Sequence, residues 1–99
     1  MTRPKAVRNV KAKATKKGIR ITWKKVSGAN GYYIYRSTKK KSGYKKIHVV
    51  KKGKTQSYLD KKARKGKTYY YKIRTYKKAG GKKMQSNWSK VVRKKYKNS

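Results

Sequence analysis

His48 and Asp60 are the only histidine and the only carboxylate side chain in 99 residues, and cysteine is absent. A His–Asp dyad is therefore the one imidazole–carboxylate pair this composition allows. Hydrolysis by paired carboxylates needs a second acid and is excluded. Thiol nucleophiles, thiolate metal sites and disulfides are excluded with the cysteines. Strand alternation through Ile47-His48-Val49 points the imidazole away from its two apolar neighbours, so His48 reads as a surface histidine. Asp60 closes the short run Ser57-Tyr58-Leu59-Asp60 before a turn, where a carboxylate caps the turn or pairs with a neighbouring cation. The runs Lys51-Lys52-Gly53-Lys54 and Arg64-Lys65-Gly66-Lys67 hold glycine and lysine as phosphate loops do. Neither opens a helix, so both read as solvated hairpin turns. The chain is expected to be no enzyme and to carry no metal or cofactor.

The other chemistry on offer is aromatic and cationic. Lysine and arginine number 35 against the single acid, for a net charge of +34. In a folded domain of this length, with a radius of roughly 13 Å, most of these charges lie within one or two Debye lengths (~8 Å) of many others. Such a surface repels copies of itself, which predicts a monomer, and attracts polyanions of any kind. Tyr33, Tyr35, Tyr70 and Tyr76 interleave with Lys46, Lys72 and Arg74. If they share one sheet face, they form a platform for phosphate contacts with base or sugar stacking. Alternation along the fourth strand adds His48 to that face. The same residues also serve a sheet without any ligand, because tyrosine favours strands and Tyr–Lys pairs stabilise them across strands. Charge is nearly uniform along the chain, which favours non-specific adhesion over a shaped groove.

Those side chains must be positioned by strands. Seven valines, five isoleucines, one leucine and no phenylalanine make a thin aliphatic complement. Ten tyrosines and two tryptophans compensate, each able to bury on the order of 150–250 Å². Val10, Ala12 and Ala14 alternate with cations, as do Ile19, Ile21 and Trp23. Further strands are predicted at Gly31–Arg36, around Ile47 and Val49, at Ser57–Asp60, at Tyr69–Tyr76 and from Trp88 to Tyr96. Glycine-containing turns separate them, and no segment keeps a 3.6-residue apolar period. Seven strands at this spacing predict an all-β, antiparallel, immunoglobulin-like sandwich in one domain. No apolar run is long enough to cross a membrane, and Met1-Thr2-Arg3-Pro4 leads into no apolar leader segment.

Trp23, Gly31-Tyr32-x-Ile34 and Ala63-x-x-Gly66-x-x-Tyr69-x-Tyr71-x-Ile73, in this order and spacing, resemble a fibronectin type III domain. Ser86-Asn87-Trp88-Ser89 resembles the start of that family's last strand. The resemblance covers residues 4–96, leaving 1–3 and 97–99 as flexible tails. It implies that Trp23, Tyr32, Ile34, Tyr69, Tyr71 and Ile73 form the core, and that the Tyr69 hydroxyl bonds back to the upstream backbone as a tyrosine corner. Ala63 and Lys65 depart from the family's usual leucine and proline there. The composition is similar to lysine-rich modules of secreted or wall-attached Gram-positive proteins. That similarity implies a non-catalytic spacer, extracellular or cell-wall-associated, within a larger secreted protein. It would adhere to wall teichoic acid, DNA, sulfated or acidic glycans and anionic lipid heads. An engineered or selected supercharged scaffold for nucleic-acid binding or cell entry is the alternative, and an intracellular RNA-binding protein a further one. Asn87-Trp88-Ser89 satisfies the N-glycosylation pattern, which in such a bacterial module is read as chance. There is no Arg-Gly-Asp triplet.

Overall fold

Alternation of small apolar and cationic residues builds the first hairpin. In the computed structural model, which describes residues 6–86 and 88–96, β1 (Lys11–Thr15) pairs with β2 (Gly18–Thr22). Ala12 and Ala14 stand opposite Ile21 and Ile19 on the inner side, while Lys11, Lys13 and Arg20 face solvent. The expected tails at 1–3 and 97–99, and Asn87 of the glycosylation pattern, lie outside the described residues. The other strands are β3 (Gly31–Ser37), β4 (Lys45–Val50), β5 (Ser57–Asp60), β6 (Thr68–Ala79), β7 (Lys82–Gln85) and β8 (Val92–Lys95). All pairings are antiparallel. One sheet runs β1-β2-β5; the other runs β4-β3-β6, with β7 and β8 both against β6. The all-β sandwich is therefore present, with eight strands among the described residues where seven are predicted from the sequence.

The extra strand arises after Ala79. Gly80 and Gly81 both have positive φ, 57° and 80°, as a two-residue type I′ hairpin requires. The chain thus returns along β6 at once, pairing Lys78 with Lys83 and Tyr76 with Gln85. The final strand expected from Trp88 to Tyr96 is shorter, β8 covering only Val92–Lys95, and β7 precedes it. β7 holds one end of β6, and β8 holds the other through Tyr71–Val92 and Thr68–Lys95. Ser86 and Ser89 bridge the gap between the two. The Ser86 N–H donates to the Thr75 carbonyl (3.1 Å), and its Oγ accepts from the Thr75 N–H (2.9 Å). Ser89 makes the same two contacts with Ile73, both 2.9 Å. Two hydroxyls thereby stand in for ladder carbonyls.

Tyrosine takes the place of phenylalanine and leucine in the core. Trp23, Ile19, Ile21, Tyr32, Ile34, Tyr69, Tyr71 and Ile73 are all buried between the sheets, with Val7, Val50 and Tyr96. Each buried tyrosine ring carries a hydroxyl that must find a partner. Tyr32 Oη accepts from the Val26 N–H (2.9 Å) and donates to the Gly53 carbonyl (2.8 Å), tying together two loops. Tyr69 Oη accepts from the Arg64 N–H (2.8 Å), five residues upstream. Tyr96 Oη donates to the Thr15 carbonyl (2.6 Å), linking the end of β8 to β1.

Asp60 does not pair with a neighbour in sequence. It is 1% exposed, at the end of β5, and its carboxylate accepts from Arg36 Nη1 (2.8 and 3.0 Å) and Tyr71 Oη (2.7 Å). The Lys62 N–H adds a turn cap at 3.2 Å. The carboxylate of one sheet is thus held by β3 and β6 of the other. Burial, then the bond to Asp60, pushes the Tyr71 hydroxyl well above the ordinary tyrosine range.

Candidate polyanion-binding face

The β3–β6 register sets what the outer face of the larger sheet carries. Tyr33 stands opposite Arg74, Tyr35 opposite Lys72, and Ser37 opposite Tyr70, so Tyr33, Tyr35, Tyr70, Lys72, Arg74 and Tyr76 share one face. Lys46, opposite Tyr35 on β4, joins them. His48 does not, correcting the placement drawn from simple alternation. The register slips between Ile34 and Tyr35, leaving Ile47 as the extra residue and setting His48 opposite the inward-facing Ile34. His48 lies exposed at the sandwich edge, its ring stacked on Tyr58 at 4.3 Å and 13°. With Asp60 enclosed by Arg36 and Tyr71, the two residues form no dyad.

The face divides into two halves. In the first, Tyr33 and Tyr76 stack with centroids 4.8 Å apart and planes at 22°. Gly31 makes this possible, because a Cβ there would strike the Tyr76 ring and the Val50 carbonyl. Each ring is 5% exposed, and Lys46 Nζ lies 4.5 Å from the Tyr33 centroid. These two tyrosines, expected to offer stacking surfaces, present no free ring face. They and Val49 floor a groove of about 450 Å³, walled by Lys46 and Lys51 on one side and Lys78 and Lys83 on the other. Asn30 pins the rim: its N–H donates to the Tyr76 carbonyl (2.9 Å), and its Oδ1 accepts from the Lys78 N–H (2.7 Å).

In the second half Trp88 is the centre. The serine-bridged gap between β7 and β8 turns it onto this face, 37% exposed. Tyr35 meets it edge-on at 4.6 Å. Lys72 Nζ lies 3.9 Å from its ring centroid and 4.3 Å from that of Tyr44, so the ammonium is held between two rings. The Arg74 guanidinium lies 4.2 Å from the Trp88 ring and donates through Nη2 to Tyr35 Oη (3.3 Å). Burial, and then the nearby Arg74 charge, lower the Lys72 pKa. Tyr70 is half-buried farther along β6, opposite Ser37 and Arg93.

Trp88, Tyr44, Lys51, Lys78 and Lys83 escape the sequence reading. Lys78 and Lys83 would follow from the Gly80-Gly81 turn, since a two-residue hairpin fixes their pairing. Trp88 is flagged by serines at 86 and 89, once these are seen as substitutes for backbone acceptors. A second basic hollow, about 650 Å³ and bordered by Lys45, Lys62, Arg64 and Lys67, lies near the Ser37 end of β3. Except for Lys45, these four sit outside strands.

No family model and no curated protein matches the sequence. Solved structures do match in shape. An Fn3-like protein from Clostridium thermocellum aligns with TM-score 0.70 and 25% identity, over 88% of this chain and 90% of that one. A β-1,2-glucanase from Parabacteroides distasonis aligns with TM-score 0.76 and 26% identity; 99% of this chain is covered, but only 14% of that one. The sixth fibronectin type III domain of human fibronectin type III domain containing protein 3 gives TM-score 0.75 at 13% identity, over 100% and 91% of the two chains. The fold is that of fibronectin type III domains.

Proposed function

We propose that this fibronectin type III-like domain is a non-catalytic, electrostatic adhesive and spacer for polyanions, working outside the cell or in the wall as part of a larger secreted protein. The observation that carries the reading is the place of the only acid. Asp60 is 1% exposed and paired with Arg36, so the net +34 meets an approaching anion with no Asp or Glu side chain at the surface to oppose it. Counter-ion release then drives association with any anionic polymer. The modular reading is supported by the Parabacteroides glucanase, in which the matching part is 14% of the chain. The sandwich extends 47 Å along its longest axis, which suits a spacer.

Binding to heparin, DNA and teichoic acid is expected to be tight at low salt, with log Kd rising linearly and steeply against log salt concentration. Titrations of each polymer across a salt series measure this. A shallow slope, or weak binding at low salt, would refute the reading.

A further inference from the structure

We propose that the groove between β4 and the β6–β7 hairpin seats a single flexible phosphodiester chain, gripped by Lys46 and Lys51 from one wall and Lys78 and Lys83 from the other. This rests on the polyanion reading above and narrows it to one site and one shape of ligand.

The walls are set by strand spacing. From β4, Lys78 on β6 is two inter-strand steps away and Lys83 on β7 three, at about 4.8 Å each, or roughly 10–14 Å between wall backbones. A duplex is wider than that and touches only the rims. A single chain fits between, where lysines from both sides reach it. The walls are hydrogen-bonded strands and their immediate ends, with the Asn30 side chain clamping the hairpin at Lys78. In the hollow beside Lys45, three of the bordering cations, Lys62, Arg64 and Lys67, sit outside strands and are held less firmly, and Arg36 is already paired with Asp60.

The donors also define the ligand. All four lysines are exposed, and each is a compact charge with three donors and no planar fork, suited to phosphate oxygens arriving from varied directions. Tyr33 and Tyr76 cover each other's faces, so nothing in the groove stacks on a base. Recognition there is of the phosphates, with the spacer groups of the polymer lying over Val49 and the ring edges.

The test compares K46Q/K51Q/K78Q/K83Q with an equally charged control on the smaller sheet and its turn, K11Q/K13Q/K16Q/K17Q. NMR spectra establish that both variants keep the fold. The probes are poly(glycerol phosphate), oligothymidylate and duplex DNA, matched in phosphate number. The groove variant is expected to lose at least about tenfold more affinity than the control for both single chains near ~0.1 M salt. Its salt slope should fall by about 3, from four contacts at roughly 0.7 each. For duplex DNA the two variants should lose affinity equally. A loss on poly(glycerol phosphate) alone would still support the groove and name a base-free polymer as its occupant. Equal losses of the two variants on single chains, a groove-specific loss on duplex, or a loss confined to oligothymidylate would each overturn the proposal. Failure of the unaltered protein to bind any probe would instead refute the polyanion reading beneath it.

Discussion

The two halves of the outer face use the same residue types in opposite ways. Around Trp88 the cations are held by rings: Lys72 sits between Tyr44 and Trp88, and Arg74 lies between Trp88 and Tyr35. Around Gly31 the rings hold each other, Tyr33 against Tyr76; Lys46 rests on the Tyr33 ring alone, and Lys51, Lys78 and Lys83 stand around them over an open groove, Lys83 6.0 Å from the Tyr76 centroid. A cation already desolvated against aromatic faces has less to gain from an anion than one in water. Interleaved tyrosine and lysine is therefore not one kind of surface. In the groove half the buried rings carry the stability and the lysines stay available to a ligand; in the Trp88 half a partly exposed ring holds the cations themselves.

Truncation should separate them most sharply. Tyr76→Ala removes a buried ring and half of the groove floor, and is expected to destabilise by about 3 kcal/mol. Trp88→Ala removes a partly exposed ring and its contacts to Lys72 and Arg74, and should destabilise by about 1–2 kcal/mol. Trp88→Ala should leave polyanion affinity unchanged or raised, because two cations are released to solvent. Denaturant melts and affinities of the two variants check both points; lower affinity in a folded Trp88→Ala protein would break the comparison.

Alkaline pH gives a smaller effect with a defined sign. The Tyr71 pKa is raised above its ordinary 10.0 in the folded protein. The unfolded chain therefore loses this proton first, and stability present below pH ~10 is lost as pH rises further. Lys72 acts oppositely. Its pKa lies below the ordinary 10.5, so the unfolded chain holds the extra proton and stability rises with pH through the window just under that value. Tyr71→Phe should cost about 1.5–3 kcal/mol at neutral pH, because the lost hydrogen bond is to the buried Asp60 carboxylate, and should flatten the alkaline fall. Lys72→Met should abolish the opposing rise. Melts from pH 7 to 12 decide; an unchanged alkaline fall in Tyr71→Phe would remove Tyr71 as its source.

The smallest effect is on binding. Changing Lys72 and Arg74 together to glutamine should weaken polyanion affinity by no more than the exposed pair Arg20 and Lys24 does, about threefold, or under 1 kcal/mol. A clearly larger loss from the Lys72 and Arg74 pair would make the Trp88 half a second binding surface.

Much of this architecture is legible in single residues. The alternation of Ile19, Ile21 and Trp23 with Arg20 and Thr22 is enough to lay down β2, and Gly31 to Arg36 to lay down β3, because period-2 patterning is what a half-buried strand requires. The last third is harder to read. Lys82 and Lys83 carry no apolar alternation, so β7 is visible only through the Gly80-Gly81 turn. The register slip at Ile47, which moves His48 off the candidate face, leaves no composition signal at all. Trp88 reads as a strand residue because nothing local says that two serine hydroxyls will replace its neighbours' backbone bonds.

By itself the sequence determined the sandwich, the aromatic core and the excess of positive charge, since each depends on residue type and short-range period. Only the tertiary structure decided which cations remain available. Asp60 meets Arg36, 24 residues away, across two sheets, and Tyr33 meets Tyr76 because β3 and β6 are neighbours and Gly31, opposite Tyr76, leaves room for its ring. Such pairings are set by sheet register, and register follows from packing the whole core at once.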